Sequence, residues 1–457
     1  DCEPARATIP PDTNTAENIT CLIMYAMANL PSLQHPYRHQ PRACQPTDAH
    51  AIPYDRRTMP DKDLPPAPRR TPGPGTLSVW AGEDEPAPGA GTQVPIVRSV
   101  AFGYRDVAQW EAVGRGEAPG DIYSRNTNPT VRAFEQKIQQ LEGAESATSF
   151  ASGMAAISNT LFTFLTPGDR VVSIQDTYGG TNKIFLEFLP RQSVEVALCP
   201  TDDAAVEAAV AKGCRVLYLE TPTNPTLKIL DLARLIDAGR RAGAVTIVDN
   251  TFATPINQRP LDLGADLVVH SATKFLGGHA DALGGTVCGG RDLVARIYHY
   301  REITGAALDP TAAYLLLRGM KTLQLRIERQ CRSALTIARH LADHPALARV
   351  HYPGLDSDPG HAVARKQMQG FGGIVSFELV GGIEAMRRAL PRLRYAPRAA
   401  NLGSVETVVG PPSTTSHVEL TPEERAAAGI PEGLVRYSVG IEDPEDLIAD
   451  LDQALKA

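Results

Sequence analysis

A lysine that directly follows a run of apolar residues is out of place for a solvated charge. Here Leu267-Val268-Val269 leads into His270-Ser271-Ala272-Thr273-Lys274, with the pair Gly277-Gly278 close behind. Lysine amines become nucleophiles when desolvation or neighbouring cations favour the neutral form. Some twenty residues upstream, Val245-Thr246-Ile247-Val248 ends in Asp249-Asn250, a carboxylate placed to pair with a protonated ring nitrogen. Ser271 and Thr273 offer hydroxyls to a phosphate. Earlier still, Ser152-Gly153-Met154 reads as the start of a helix, whose free N–H groups and dipole favour an anion. A lysine for a Schiff base, a carboxylate for a pyridinium nitrogen and a helix-terminal anion site together describe a pocket for pyridoxal phosphate. Each has a plainer reading alone: a surface lysine, a turn aspartate, a helix cap. Their order and spacing over about 120 residues carry the argument.

Such groups must be held by a sheet. From about residue 140 to 290 short apolar runs alternate with amphipathic stretches. Strands are expected at Val171–Ile174, Val194–Leu198, Val216–Leu219, Val245–Val248 and Leu267–Val269. These are near-continuous apolar runs, as parallel strands buried on both faces require. A helix is expected from Asp231 through Ala238, ended by Gly243. Strand-helix-strand repetition predicts an α/β domain that holds ligands at the carboxyl ends of its strands. After residue 310 the rhythm changes. A long helical pattern runs through Leu315, Leu316, Leu323, Ile327 and Leu335. Strands follow at Arg349–Tyr352, Ile374–Leu379 and Arg436–Gly440, with helices near Ile383 and at the end, which predicts a smaller α+β domain.

The 457 residues suffice for two or three domains. Lys and Arg total 45 against 52 Asp and Glu, a net charge of −7 that argues against nucleic acid or an anionic membrane as partner. The most apolar run, Cys21 to Ala28, is far short of the roughly 20 residues that span a bilayer. Acidic residues upstream of it argue against a secretory leader. Seven scattered cysteines without a Cys-x-x-Cys pair favour neither a disulfide scaffold nor a metal site. A reduced, cytoplasmic setting is the expectation. Composition shifts near residue 75: 12 of the 37 prolines fall in the first 70 residues, and no hydrophobic period persists there. Residues 1–74 read as a proline-rich extension, flexible or able to pack on a neighbouring subunit. Met59-Pro60-Asp61 reads as a natural start, with residues 1–58 foreign to the working enzyme.

The chain resembles the cysteine and methionine metabolism family of pyridoxal phosphate enzymes, which includes cystathionine γ-synthase, the cystathionine lyases and methionine γ-lyase. The resemblance covers roughly residues 75–457. It rests on seven ordered motifs: Tyr123–Thr130, Ser152–Ala156, Asp176–Thr181, Glu220–Pro225, Val248–Thr251, Ser271–Lys274 and Arg436–Gly440. It implies the aspartate aminotransferase-like fold (fold type I), with a large, mostly parallel seven-stranded sheet and a smaller C-terminal α+β domain. By the same token residues 75–135 form an arm serving the neighbouring subunit's active site, residues 136–310 the cofactor domain and residues 311–457 the C-terminal domain.

The resemblance also implies roles. Lys274 carries the cofactor and later shuttles protons. Tyr178 stacks on the cofactor ring and serves the leaving side chain as acid or base. Asp249 keeps the ring nitrogen protonated, and Asn224 touches the ring hydroxyl. Gly153, Met154, Ser271 and Thr273 bind the phosphate from one subunit, while Tyr123 and Arg125 reach it from the neighbour. A homodimer then completes the site, and the usual assembly is a homotetramer. Arg436 clamps the substrate carboxylate through its planar fork, and Asn401 lies in the substrate-contacting loop. No metal is implied.

Within the family, Arg301-Glu302-Ile303-Thr304-Gly305 resembles a segment of methionine γ-lyases. Ala400 occupies a place where cystathionine-processing enzymes often carry glutamate, which suits an uncharged substrate side chain. Against this, Gly180 stands where bacterial methionine γ-lyases have cysteine, and Asn401 replaces a common serine. The expectation is a carbon–sulfur γ-lyase, methionine ahead of cystathionine. The alternatives are γ-replacement, by a cystathionine γ-synthase or O-acylhomoserine sulfhydrylase, and a silent binding relative. Intact Lys274, Asp249, Tyr178 and Arg436 argue against the last. A dinucleotide enzyme is weaker still, since no Gly-x-Gly-x-x-Gly follows the first strands.

Overall fold

The architecture, seen in a computed structural model, is built on two sheets. Residues 71–83, 91–418, 420–427 and 429–456 are described; the expectations for the proline-rich stretch and for Met59 lie outside them. Both sheets belong to one compact unit, Arg70–Ala457.

The large sheet comprises β1 (Ser146–Phe150), β2 (Arg170–Ile174), β3 (Glu195–Cys199), β4 (Val216–Glu220), β5 (Val245–Asp249), β6 (Leu267–Ser271) and β7 (Gly285–Gly289). Its order is β1-β7-β6-β5-β4-β2-β3. The pairs from β6 through β3 are parallel, while β7 is antiparallel to both its neighbours. The central strands are as buried as their composition demands: Val216, Leu217, Tyr218 and Leu219 on β4 and Ile247 and Val248 on β5 are fully enclosed. Burying each such side chain is worth about 1.5–3 kcal/mol.

Helices cover both faces. The Pro129–Glu142 helix starts where the Asn128 side chain accepts from the Thr130 N–H at 2.9 Å. It ends at Gly143, whose φ of 69° suits glycine. The helix expected after Asp231 spans Leu232–Arg241, with the Asp231 side chain capping the Arg234 N–H. The long pattern expected through Leu335 is two helices, Pro310–Met320 and Leu323–Ala342. At the break Arg326 reaches back and caps the first helix, donating to the Gly319 carbonyl at 3.0 Å.

The small sheet comprises β8 (Leu347–His351), β9 (Ile374–Leu379), β10 (Val408–Gly410) and β11 (Leu434–Ser438). It is antiparallel throughout, in the order β10-β11-β9-β8. Its core packs Val375, Phe377, Val435 and Tyr437 against Ile337 and Leu341 of the Leu323–Ala342 helix and Leu447 and Leu451 of the Pro444–Leu455 helix. Two strands of the large sheet, β1 and β7, were not expected from the sequence. They read SATSF and GTVCG, too polar and too glycine-rich to show as apolar runs.

Candidate active site

Parallel strands collect ligands at their carboxyl ends, and here β4, β5 and β6 end in Glu220, Asp249 and Ser271. A cavity of about 260 Å³ lies at that edge, lined on the large-sheet side by Gly153, Met154, Tyr178, Asp249, Ser271 and Lys274. Arg436, from β11 of the small sheet, lines it too.

The helix Gly153–Phe164 begins at the cavity. Ser152 caps it by accepting from the Ala155 N–H at 3.1 Å, which leaves the first amides pointing out. Gly153 is required by space: a Cβ there would lie 2.6 Å from Ser271 Cβ and 2.9 Å from Ser271 Cα. Ser271 in turn donates its N–H to Thr251 Oγ1 at 2.9 Å. The Thr273 hydroxyl is locked onto Gly284, accepting its N–H at 3.0 Å.

Asp249 is buried, and burial pushes its carboxyl up. It accepts from the Thr251 N–H at 3.0 Å and from the Tyr218 hydroxyl at 3.2 Å. No lysine or arginine pairs with it among the described residues. Beside it, Asn250 donates to Glu142, which also holds His270 at 2.6 Å, a buried pair under the ends of β5 and β6.

Lys274 Nζ donates to Asn401 Oδ1 at 3.0 Å. Burial, with nearby Arg436 adding to it, lowers the amine to about 8. The loop behind Lys274 is pinned by Arg326, which donates to the carbonyls of Phe275 and Leu276 at 2.8 and 3.1 Å. Gly278 sits against that guanidinium with a φ of 71°.

Arg436 is 3 % exposed, and burial brings its guanidinium down to about 10. Its partners are neutral: it donates to Asn224 Oδ1 at 3.0 Å and to the Asn401 carbonyl at 3.2 Å. A desolvated cation whose hydrogen-bond acceptors among the described residues are neutral can receive a carboxylate. Tyr178, 39 % exposed, lines the same cavity.

Ten of the sequence-derived candidates thus meet here: Gly153, Met154, Tyr178, Asn224, Asp249, Ser271, Thr273, Lys274, Arg436 and, through its bonds to Lys274 and Arg436, Asn401. Tyr123 and Arg125 do not line the cavity. Tyr123 is 42 % exposed, with the Arg125 guanidinium 5.5 Å from its ring centroid. The Arg301–Gly305 segment also lies outside the lining. Arg301 instead holds the Tyr123–Asn126 loop, donating to the Asn126 carbonyl at 2.7 Å. Glu220, Thr251 and Tyr218 are the groups that sequence reasoning missed. Glu220 had the same signal as Asp249, a carboxylate closing a buried strand.

Residues 75–456 match the family described as Cys/Met metabolism PLP-dependent enzyme. The chain belongs to that family. L-methionine gamma-lyase of Pseudomonas putida is 44 % identical over 391 residues, covering 85 % of this chain and 98 % of that protein. O-succinylhomoserine sulfhydrylase of Pseudomonas aeruginosa is 40 % identical, over 84 % of this chain and 95 % of its own length. A crystal structure of cystathionine gamma synthase from Xanthomonas oryzae pv. oryzae in complex with cystathionine superposes with a TM-score of 0.81 at 37 % identity, over 85 % of this chain and 98 % of that one.

This member of the Cys/Met metabolism family is therefore a pyridoxal phosphate-dependent enzyme of γ-elimination or γ-replacement on sulfur amino acids. The cavity fits the cofactor's chemistry. The glycine-opened helix start suits a phosphate, the cation-free buried Asp249 suits a protonated ring nitrogen, and the desolvated Lys274 suits an aldehyde carbon.

Proposed function

We propose that the chain is a γ-lyase that takes methionine in preference to cystathionine and releases methanethiol, ammonia and 2-oxobutanoate. The observation that carries this preference is the cavity lining. Ala400, Leu402, Leu283, Phe252 and Ile157 make the larger part of its surface apolar. Its carboxylates among the described residues, Glu220 and Asp249, are already engaged. An ammonium such as cystathionine's distal group would be buried there unpaired, at a cost of several kcal/mol. The 44 % identity to an L-methionine gamma-lyase supports the same reading.

When bound, pyridoxal phosphate supplies an electron sink for the charge left at the substrate's Cα. The chain's own residues do the rest. Gly153 and Met154 would offer amides, and Ser271 a hydroxyl, to the phosphate, with Thr273 joining them once its hydroxyl turns from the Gly284 carbonyl. Asp249 would hold the ring-nitrogen proton, and Asn224, through the amide group left over from its bond to Arg436, would meet the ring hydroxyl. Arg436 grips the substrate carboxylate with its two-pronged fork, which fixes the direction in which the α-proton points. Lys274, lowered to about 8, keeps a neutral fraction near neutral pH, so its Nζ can take the α-proton and move a second one from Cβ. Asn401 aims that amine. Tyr178 delivers a proton to the departing sulfur. The exposed Tyr123 and Arg125 fit a role at a neighbouring subunit's phosphate, in a homodimer that pairs into a homotetramer. The arm would be residues 75–135, with the cofactor domain at 136–310 and the C-terminal domain at 311–457. The cytoplasm is the proposed location.

The second reading is γ-replacement by a thiol. The 40 % identity to an O-succinylhomoserine sulfhydrylase favours it. Gly180, where a Cβ would lie 2.9 Å from both Met154 Sδ and Tyr178 Cε1, speaks against the cysteine of a bacterial methionine γ-lyase without separating elimination from replacement. The test is kcat/KM for methionine, for cystathionine, and for an O-acylhomoserine supplied with a thiol. A methionine value at least ten-fold above the cystathionine value, with 2-oxobutanoate as product, is expected. A higher rate of thioether formation than of oxoacid release would overturn the lyase assignment.

A further inference from the structure

Glu220 closes β4 and lies beside Asp249 in the parallel β4–β5 register, yet the mechanism above gives it no task. It is 4 % exposed, and no lysine or arginine pairs with it among the described residues. Burial and the neighbouring Asp249 push its carboxyl well above the usual range, so keeping it here is costly. Its two oxygens take separate backbone donors. Oε2 accepts the Tyr178 N–H at 2.8 Å, and Oε1 accepts the Asn224 N–H at 3.3 Å. Asn224 then holds Arg436 through its side-chain carbonyl at 3.0 Å. The Tyr178 and Asn224 loops follow different strands, β2 and β4, and meet on this one side chain.

We propose that Glu220 is a positioning residue, whose carboxyl fixes the Tyr178 loop and the Asn224–Arg436 clamp relative to each other. It touches no substrate in this scheme. It sets where the carboxylate receptor stands with respect to the acid that serves the leaving group. The inference rests on the assignment of Arg436 to the substrate carboxylate.

Glu220→Gln keeps one acceptor oxygen and turns an NH₂ group towards the other backbone N–H, donor against donor. The experiment is a double-mutant cycle on the cofactor-loaded enzyme, with KM and kcat measured for methionine, or for cystathionine if that proves the better substrate. Glu220→Gln should raise KM at least ten-fold while the cofactor's visible band is retained. With Arg436 already removed, in Arg436→Ala, adding Glu220→Gln should change KM by less than two-fold. A merely structural role would instead multiply the two effects, or lower kcat and stability with KM unmoved, and either result overturns the inference. If Glu220→Gln does not fold, the same cycle with Glu220→Asp, which keeps both oxygens on a shorter arm, should show the same lack of additivity with a smaller rise. An unchanged KM in Arg436→Ala alone overturns the Arg436 assignment and this inference with it. A raised KM there, with multiplying effects, overturns this inference only.

Discussion

Lys274 stands in an environment that works against its charge. Burial first, and Arg436 second, hold the amine at about 8 against an ordinary value of 10.5. The sign of the consequence follows from proton counting. Below about pH 8 the amine is charged in folded and unfolded chains alike, and the folded form bears the desolvation cost. Between about 8 and 10.5 the unfolded chain holds more protons, so the stability of the cofactor-free protein rises with pH across that window. The contribution amounts to roughly 3 kcal/mol. Lys274→Met should remove that rise, measured by denaturant unfolding of cofactor-free protein; an unchanged slope would contradict it. Lys274 and Asp249 were legible because a charge adjoining a buried strand is conspicuous, whereas Arg436, an arginine within a strand, was legible only through the family motif. Glu220 closes a buried strand in the same way, but it precedes a Thr-Pro-Thr-Asn-Pro turn, and its service to two backbone amides from separate loops has no local signature. The bonds that tie Asn224, Asn401 and Arg436 into one receptor span 35 to 212 residues of sequence, and no local pattern carries them.

At the level of elements, the helix start at Gly153 depends on how closely β6 and β7 approach it. Gly285 of β7 is pressed against Ser152, where a Cβ would come within 2.2 Å of the carbonyl oxygen. On the other side Gly153 abuts Ser271 at the end of β6. Gly153→Ala should therefore push the first turn of the helix off the phosphate site. We expect at least a ten-fold loss of cofactor affinity, with a stability loss of about 1–3 kcal/mol. Titration with pyridoxal phosphate and thermal melts check both, and wild-type affinity in the variant would refute the close-packing argument. The same closeness explains what the sequence hid. In β7 glycine replaces the apolar residues that mark a strand, because at Gly285 and Gly289 a side chain would meet the backbone of Ser152 and Asp266. The helical pattern after residue 310 divides into two helices, and this too is hidden from the sequence. Its apolar spacing continues across Lys321, but Gly319 is packed onto Gly277 and the turn there serves Arg326, which braces the loop behind Lys274.

Over the whole molecule, the alternation of apolar runs and amphipathic stretches made the α/β class readable, because strands buried on both faces leave a continuous signature. The strand order was not readable from it. The neighbours β5 and β6 at the cavity edge, and the return of β11 to supply Arg436, are set by packing between segments far apart in sequence. The two sheets together bring Lys274, Asp249 and Arg436 to one cavity, and their proposed service as nucleophile, ring-nitrogen partner and carboxylate receptor is the central claim. The direct test is a visible absorption spectrum of the purified protein before and after methionine, with 2-oxobutanoate assayed in the same cuvette, for wild type and Lys274→Ala. The account predicts a cofactor band that shifts and an oxoacid that accumulates in wild type, with turnover abolished in a folded Lys274→Ala. Undiminished oxoacid release in that variant, or no band in wild type after reconstitution with pyridoxal phosphate, would contradict it.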